Sequence, residues 1–117
     1  MDHLALAVTD QSRSRRFYET YLGFEAESAP RSDGVLILHD ARGFSLALGQ
    51  TDEELRLPTF LHFGVGLPSP EEVRAFRDRL AAEGVELVGE WEEIDYVSVK
   101  FRDPDGYVVE AAWEQEA

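Results

Sequence analysis

Two histidines and one glutamate are the residues of this chain whose types and spacing could do chemistry. His3 opens the β-prone segment His3–Val8, and His62 opens a second such segment 59 positions later (62 − 3). Glu110 lies in the last β-prone segment. Two imidazoles and one carboxylate can hold a catalytic divalent metal and leave coordination positions open. We therefore predict a metal site at His3, His62 and Glu110.

The spacing of other residues shows that these segments belong to a duplicated unit. Phe17 and Phe76 are also 59 positions apart (76 − 17), and an Asp-x-x-Gly-aromatic segment occurs at 40–44 and again at 103–107. A long period that occurs only twice indicates a duplicated module rather than a solenoid. We expect a single domain of three parts: module one at 1–49, a polar linker at 50–58, and module two at 59–117.

Each module is predicted to contain a strand, a helix and three further strands. In module one we expect a strand at His3–Thr9, a helix capped by Asp10 or Ser12 that runs to Leu22, and strands at Phe24–Ser28, Val35–His39 and Phe44–Gly49. In module two we expect a strand at Phe60–Leu67, a helix capped by Ser69 that ends at Gly84, and strands at Glu86–Trp91, Tyr96–Phe101 and Tyr107–Trp113. Helix caps and turn residues support these boundaries. The order βαβββ, occurring twice, predicts an α+β fold with mixed sheets and helices on one face.

Alternation along the strands predicts which side chains share a face. The bulky apolar residues should pack on the helices: Leu4, Leu6 and Val8; Phe63, Val65 and Leu67; and Tyr107, Val109 and Ala111. The opposite face carries the three candidate ligands and otherwise mostly small residues: Ala5, Ala7, Gly64, Gly66, Val108 and Ala112. A face that merely met water would carry long polar side chains instead. Small residues beside a ligand leave room for a metal and a substrate.

Three more residues are predicted to face this cavity from a neighbouring strand. Tyr96, Ser98 and Lys100 alternate with apolar residues and are candidate substrate contacts. The alternative is that they form a solvent-exposed polar edge. Glu110 could act as a catalytic proton acceptor as well as a ligand. His39 precedes a turn without comparable partners, so we expect a surface residue there.

Composition and charge limit the partners of the chain. It carries 24 Asp and Glu against 11 Lys and Arg, a net charge of −13 that disfavours nucleic acid and anionic lipid. It contains no Cys, which excludes disulfides, thiolate metal sites and cysteine nucleophiles and fits a reducing compartment. No stretch reaches the roughly 20 apolar residues of a membrane helix. We expect a soluble cytoplasmic protein that binds a small molecule.

The motifs resemble those of the vicinal oxygen chelate superfamily, which includes glyoxalase I, extradiol dioxygenases, fosfomycin thiol transferases and bleomycin-resistance proteins. The resemblance covers essentially the whole chain: residues 3–10, Phe17-Tyr18, Leu22-Gly23-Phe24, His62, and 103–110. It implies two βαβββ modules that form an open, cup-shaped mixed β-sheet around a metal, with helices on the outer face. It also implies a metal that chelates neighbouring oxygens of a substrate and stabilises an anionic intermediate.

Departures from the patterns of individual families narrow the reaction. The second Glu of glyoxalase I corresponds to Ala47 here, which disfavours hemithioacetal isomerisation. The chain resembles fosfomycin thiol transferases in its ligand set and in Ser98. It differs from them at Ala5, Glu90 and Lys100, so binding of a phosphonate is poorly supported. Extradiol dioxygenases share the two-His-one-Glu set, but their acid–base His has no counterpart that we can identify.

Two main functions compete. The first is an enzyme with Fe(II), Mn(II), Ni(II) or Zn(II) and dioxygenase, lyase, isomerase or transferase chemistry. The second is a metal-free binding protein of the bleomycin-resistance type, in which the acidic charge suits a basic ligand and aromatic rings stack on it: Trp91, Tyr96 and Trp113. A structural metal without catalysis is a third possibility, disfavoured because structural sites are closed four-ligand sites. Exposed sheet edges also predict a homodimer.

Overall fold

A computed structural model of the protein describes residues 1–27 and 31–116. The chain divides into two compact units, Met1–Arg56 and Leu57–Ala117. The first contains β1 (His3–Val8), α1 (Gln11–Tyr21), β2 (Glu25–Ala26), β3 (Leu36–His39) and β4 (Ser45–Gln50). The second contains β5 (His62–Gly66), α2 (Pro70–Ala82), β6 (Leu87–Glu93), β7 (Tyr96–Arg102) and β8 (Val108–Glu114). The predicted α+β fold of two βαβββ modules is confirmed, and the expectation of a single domain stays a prediction.

Each unit folds around one mixed four-stranded sheet. The strand order is β1-β4-β3-β2 in the first unit and β5-β8-β7-β6 in the second. β1 pairs in parallel with β4, and β5 in parallel with β8, whereas the other neighbours are antiparallel. Ala5 pairs with Ala47 in one sheet as Gly64 pairs with Glu110 in the other. Ala47 therefore occupies the position equivalent to Glu110.

The start of α1 is set by Asp10 rather than by Ser12. The Asp10 carboxylate accepts a hydrogen bond from the Arg13 N–H at 3.1 Å, which satisfies a backbone donor that the first turn leaves unpaired. Gly23, at φ 70°, lets the chain leave the helix in a left-handed conformation. The strand predicted at Phe24–Ser28 is observed as the shorter β2, and Ser28 lies outside the described residues.

The start of α2 follows the predicted capping signal. The Ser69 hydroxyl accepts a hydrogen bond from the Glu72 N–H at 3.2 Å, and Pro70 occupies the first helical turn, where its missing N–H costs nothing. Val73 and Leu80 are buried against the sheet, with α2 lying on β7 and β8. The Phe76 ring meets the Phe101 ring edge to face at 5.5 Å.

The predicted sorting of strand faces is confirmed in each unit. Buried side chains alternate along β1 and through most of β8, and the helices cover that face. β7 departs from strict alternation, because Ser98 is buried as well as its neighbours Val97 and Val99. The buried set in the first unit includes Leu6, Val8, Leu46 and Leu48, and in the second Val99, Phe101, Val109 and Ala111. Ala5, Ala7, Gly64 and Gly66 lie on the opposite, open faces.

The repeated Asp-x-x-Gly-aromatic segment forms the same turn twice. Asp40 accepts backbone hydrogen bonds from Arg42 and Phe44 at 2.9 and 2.8 Å. Asp103 accepts equivalent bonds from Asp105 and Tyr107 at 3.0 and 2.9 Å. Each carboxylate fixes the turn that leads into the last strand of its unit. The second of these turns sets the start of β8 and hence the position of Glu110.

Candidate functional site

The orientation of His62 is fixed by the backbone just before β5. Its Nδ1–H donates a hydrogen bond to the Phe60 carbonyl oxygen at 2.9 Å. A carbonyl oxygen can only accept, so the ring proton is assigned to Nδ1, and Nε2 of the neutral ring carries a lone pair. The Phe60 ring also packs edge to face on the imidazole at 5.1 Å. His62 thus has the tautomer that a metal ligand needs.

The carboxylate of Glu110, on β8, lies near Nε2 of His62. Glu110 Oε1 is 3.7 Å from His62 Nε2, and the two side chains are 15% and 24% exposed, respectively. That separation exceeds a hydrogen bond. The other carboxylate oxygen, Oε2, accepts a hydrogen bond from the Tyr96 hydroxyl at 2.8 Å. The two oxygens of Glu110 therefore have different surroundings, one facing His62 and the other held by Tyr96.

The phenol of Tyr96 is kept in its protonated form by this environment. Burial raises the pKa of Tyr96, and the hydrogen bond to the Glu110 carboxylate raises it further, because both disfavour the phenolate. The nearby Ser98 hydroxyl opposes this rise in pKa more weakly. Tyr96 is therefore a hydrogen-bond donor to Glu110 at neutral pH.

Small residues form the floor beside Glu110. A Cβ added at Gly64 would lie 2.7 Å from the Glu110 backbone oxygen, so only glycine fits there without a backbone shift. An open cavity of about 420 Å³ lies over this part of the sheet, and its lining includes Gly64, Gly66, Tyr96, Glu110 and Ala112. The cavity has room for a small molecule next to the Glu110 carboxylate.

The two other candidate substrate contacts differ in their surroundings. Ser98 is 3% exposed, and its hydroxyl has no well-formed hydrogen bond within residues 1–27 and 31–116. Lys100 pairs in register with Glu110, and its Nζ lies 5.8 Å from the centre of the Phe60 ring and 5.7 Å from that of Trp91. In the described part of the chain Lys100 forms no ion pair with a carboxylate, whereas many of the arginines do. Lys100 is therefore a cation whose charge is available to a ligand.

His3 resembles His62 in that its Nδ1 is paired with an oxygen close by in the chain, although the acceptor is a side-chain carboxylate rather than a backbone carbonyl. Its Nδ1–H donates to the Asp2 carboxylate at 2.7 Å, which leaves Nε2 outside that pair. This hydrogen bond lowers the pKa of Asp2. The His3 side chain is 73% exposed at the start of β1. Carboxylate or carbonyl acceptors on Nδ1 are typical of histidines that bind metal through Nε2.

His39 uses both of its ring nitrogens within the first unit. Nε2 lies 3.0 Å from Glu27 Oε1, and Nδ1 lies 3.0 Å from the Ser45 hydroxyl. The hydrogen bond with His39 lowers the pKa of Glu27. The His39 side chain is 42% exposed, in keeping with its expected role as a surface residue.

Of the predicted ligands, the structure brings His62 and Glu110 together in the second unit and places His3 in the first. Within residues 1–27 and 31–116, no three His, Cys, Asp or Glu side chains form a group that could hold a metal ion. The full set of three ligands stays a prediction. The role of the Phe60 carbonyl could not be predicted from the sequence, because backbone groups leave no signal in residue type. Tyr96 was predicted as a substrate contact, without its hydrogen bond to Glu110.

A family model settles the classification of the chain. The model of the Glyoxalase/Bleomycin resistance protein/Dioxygenase superfamily matches residues 1–111. The chain belongs to this superfamily. The predicted resemblance to vicinal oxygen chelate proteins is thereby confirmed.

A curated relative in this superfamily is the trivalent organoarsenical cleaving enzyme of Bacillus sp. (strain MD1). It is 32% identical over an alignment of 111 positions that covers 89% of this chain and 66% of that enzyme. The chain thus spans about two thirds of the length of this relative.

Solved structures of superfamily proteins are similar over nearly the whole chain. A possible glyoxalase from Bacillus cereus is 26% identical with a TM-score of 0.81, covering 95% of this chain and 96% of that one. FosX, a fosfomycin resistance protein from Listeria monocytogenes, is 22% identical with a TM-score of 0.83, covering 98% and 93%. A variant of FosX, 23% identical with a TM-score of 0.79 over 95% and 86%, was crystallised with Mn(II) and 1S,2S-dihydroxypropylphosphonic acid. At these identities the FosX similarity establishes the fold.

The described residues contain no helix that is long and apolar enough to cross a membrane.

Proposed function

We propose that this superfamily member is a divalent-metal-dependent enzyme that acts on a small substrate binding the metal through oxygen. The metal would be held by His62 and Glu110 of the second unit and by His3. The observation that carries the proposal is the His62–Glu110 pair, with the lone pair on Nε2 and a carboxylate oxygen 3.7 Å from it. Two ligands that each bind one ion at about 2.0–2.2 Å stand roughly 3–4 Å apart, so this pair fits a shared metal.

His3 is proposed as the third ligand on two grounds. It is the residue equivalent to His62 in the duplicated unit, and its Nδ1 is likewise engaged by an acceptor. It could come from the same chain or from a second copy in a homodimer. Imidazole and carboxylate ligands suit Fe(II), Mn(II), Ni(II) and Zn(II). The Mn(II) in the FosX variant supports divalent-metal use in this fold.

Each side chain near the proposed metal would have a separate role in the reaction. The metal, when bound, would supply Lewis-acid stabilisation of negative charge on a substrate oxygen. Phe60 orients His62, and Tyr96 holds Glu110, whose carboxylate could also accept a proton from the substrate. Lys100 is proposed to pair with an anionic group of the substrate, and Ser98 to contact a polar one.

The reaction type within this class stays open to dioxygenase, lyase, isomerase or transferase chemistry. The absence of a carboxylate at Ala47 argues against the four-ligand site of glyoxalase I. The 117 residues contain no Cys, the soft ligand that trivalent arsenic prefers. We therefore do not extend the substrate of the organoarsenical cleaving enzyme to this chain.

A second candidate function is metal-free binding of a small molecule, as in bleomycin-resistance proteins. The favouring observation is the exposed aromatic surface of the second unit, where Phe60 is 80% exposed and Trp91 is 49% exposed. Exposed aromatic rings on a chain of net charge −13 would suit a flat, basic ligand.

Metal content distinguishes the two candidates. The protein purified without chelator, and the EDTA-treated protein reloaded with Mn(II) or with Fe(II) under anaerobic conditions, should each contain about one ion per chain, as measured by elemental analysis. His62→Ala should lose this metal, because it removes the Nε2 donor. His39→Gln is the matched control and should keep it, because both nitrogens of His39 are already used elsewhere.

Stoichiometric metal in His62→Ala would contradict the proposed site. Absence of metal from every variant, together with micromolar binding of a cationic glycopeptide, would establish the binding function instead.

A further inference from the structure

The hydrogen bond between Tyr96 and Glu110 makes the two oxygens of the Glu110 carboxylate unequal. Oε2 accepts from the Tyr96 hydroxyl at 2.8 Å, while Oε1 faces His62 Nε2 at 3.7 Å. A carboxylate can bind a metal through one oxygen or through both. An oxygen that already accepts a hydrogen bond from a phenol is less available to a metal, so Oε1 is the oxygen better placed to bind one.

The surroundings of Glu110 give the carboxylate little other support. Its neighbour across the parallel pair is Gly64, and the residue two positions further along the same face of β8 is Ala112. Both are too small to press on the carboxylate or to donate a side-chain hydrogen bond to it. Within residues 1–27 and 31–116, the Tyr96 hydroxyl is the donor that fixes the rotation of the Glu110 carboxylate.

Tyr96 reaches Glu110 diagonally rather than straight across the sheet. On the register of β7 and β8, Tyr96 lies opposite Glu114, and Glu110 lies opposite Lys100. The long phenol side chain spans the positions in between, over the small residues Ser98 and Ala112. Its hydroxyl donates to Oε2, whereas Oε1 is the oxygen that lies next to His62 Nε2.

We propose that Tyr96 is a positioning residue that makes Glu110 a one-oxygen metal ligand. The inference rests on the proposed function, and it assigns Tyr96 a role that differs from direct substrate contact. A Glu bound through one oxygen uses one coordination position instead of two. The position that is saved is available to a second oxygen of the substrate, as a substrate that binds through two neighbouring oxygens requires.

The test compares Tyr96→Phe with the wild type and with Tyr21→Phe. Tyr96→Phe removes only the hydroxyl that holds Oε2. Tyr21→Phe is the matched control, since it removes a phenol hydroxyl from α1 of the first unit and not from the sheet that carries Glu110. Two properties are measured: Mn(II) affinity of the EDTA-treated protein by electron paramagnetic resonance titration, and the number of Glu110 oxygens bonded to Mn(II) in crystals.

Wild type and Tyr21→Phe should bind Mn(II) equally, each through one Glu110 oxygen. Tyr96→Phe should bind Mn(II) about 10- to 100-fold more weakly, as is usual when a group that orients a ligand is lost. Its Glu110 should bind through both oxygens. A merely structural role for Tyr96 would change the thermal midpoint without changing the number of bonded oxygens.

Two results would overturn the inference and have different meanings for the proposed function. If Tyr96→Phe equals the wild type in both measurements while His62→Ala loses Mn(II), then the metal site stands and the role of Tyr96 is rejected. If the wild type itself binds no divalent metal, the proposed function and the inference both fail. Should Tyr96→Phe not fold, the wild-type crystal decides, because a Glu110 bound through both oxygens would reject the role of Tyr96.

Discussion

At the scale of single residues, the proposed site includes a position where no side chain larger than that of glycine fits. Gly64 is the sharpest case, because a Cβ there would lie 2.7 Å from the Glu110 backbone oxygen and 3.4 Å from the Glu110 Cβ. The contact atom belongs to the backbone of β8, so it cannot rotate away as a side chain could. Any side chain at this position must shift β5 or β8, and with it Glu110.

We predict that Gly64→Ala destabilises the protein by about 1–3 kcal/mol, the usual cost of overpacking. It should also weaken Mn(II) binding, because the strand shift displaces the carboxylate from His62. Urea unfolding of the EDTA-treated protein measures the first effect, and Mn(II) titration measures the second.

Gly66→Ala is the control for this prediction, on the same strand and the same face. A Cβ at Gly66 meets nothing within 4 Å, so this variant should be neutral or slightly stabilising through the lost freedom of the unfolded chain. Equal stability of the two variants would show that β8 yields easily beside Gly64 and that the close approach has no consequence.

The sequence predicted on which face of its strand a side chain lies, because that follows from alternation along the strand. Period-two spacing places Glu110 and Tyr96 on the cavity side of their strands, and the structure confirms the faces. Spacing carries no register, however, and Tyr96 lies opposite Glu114 rather than Glu110. The hydrogen bond from Tyr96 to Glu110, which crosses the sheet diagonally, therefore could not be predicted from the sequence.

At the scale of elements, signals for where an element starts were more reliable than propensities for where it ends. Asp10 and Ser69 cap their helices through side-chain oxygens, as residue type alone suggests. β6 instead runs on to Glu93, beyond the predicted end at Trp91, because Glu92 and Glu93 pair with β7. Cross-strand pairing overrides the poor strand propensity of Glu there.

The same acidic strand is tied to α2 by an ion pair. The Arg74 guanidinium donates two hydrogen bonds to the Glu92 carboxylate, at 2.9 and 3.0 Å, and Arg77 lies 3.7 Å from it. The hydrogen bond with Arg74 lowers the pKa of Glu92 from its usual 4.5. A carboxylate with a lowered folded-state pKa contributes stability above its ordinary pKa, and this contribution disappears as the pH falls through the lowered value.

We predict that Glu92→Gln lowers the thermal midpoint at pH 7 by a small amount, and that this difference from wild type shrinks as the pH falls and Glu92 becomes protonated in the folded state. The effect is small because both partners are exposed. Glu93→Gln is the charge-matched control, since Glu93 forms no ion pair within the described ranges. A difference from wild type that did not shrink as the pH was lowered, or an equal loss in both variants at pH 7, would contradict this role for the Arg74–Glu92 pair.

At the scale of the whole molecule, the duplication predicted the architecture of each unit. The matched intervals between the histidines and between the phenylalanines correspond to equivalent strands and helices in the structure. The repeat contains no information on whether His3, the proposed third ligand, would join His62 and Glu110 of its own chain or of a second copy, since spacing along a chain describes neighbours within a module.

Net charge is the other whole-molecule property, and it leads to the last prediction. The 24 acidic residues exceed the 11 basic ones, so 13 carboxylates stay uncompensated even if every Lys and Arg is paired. Their mutual repulsion opposes the compact state. Salt screens this repulsion, and it also weakens the exposed ion pairs, each of which contributes little. The repulsion should dominate because the excess of one sign is large.

Raising NaCl from about 10 to about 500 mM at pH 7 should therefore raise the thermal midpoint of the EDTA-treated protein by several degrees, because the Debye length falls from about 30 Å to a few Å. Near pH 4.5, the calculated isoelectric point, the net charge vanishes and the same salt increment should have little effect. Differential scanning calorimetry at both pH values measures the two shifts. An equal rise at both would assign the effect of salt to hydration, and a fall at pH 7 would mean that the ion pairs outweigh the net repulsion.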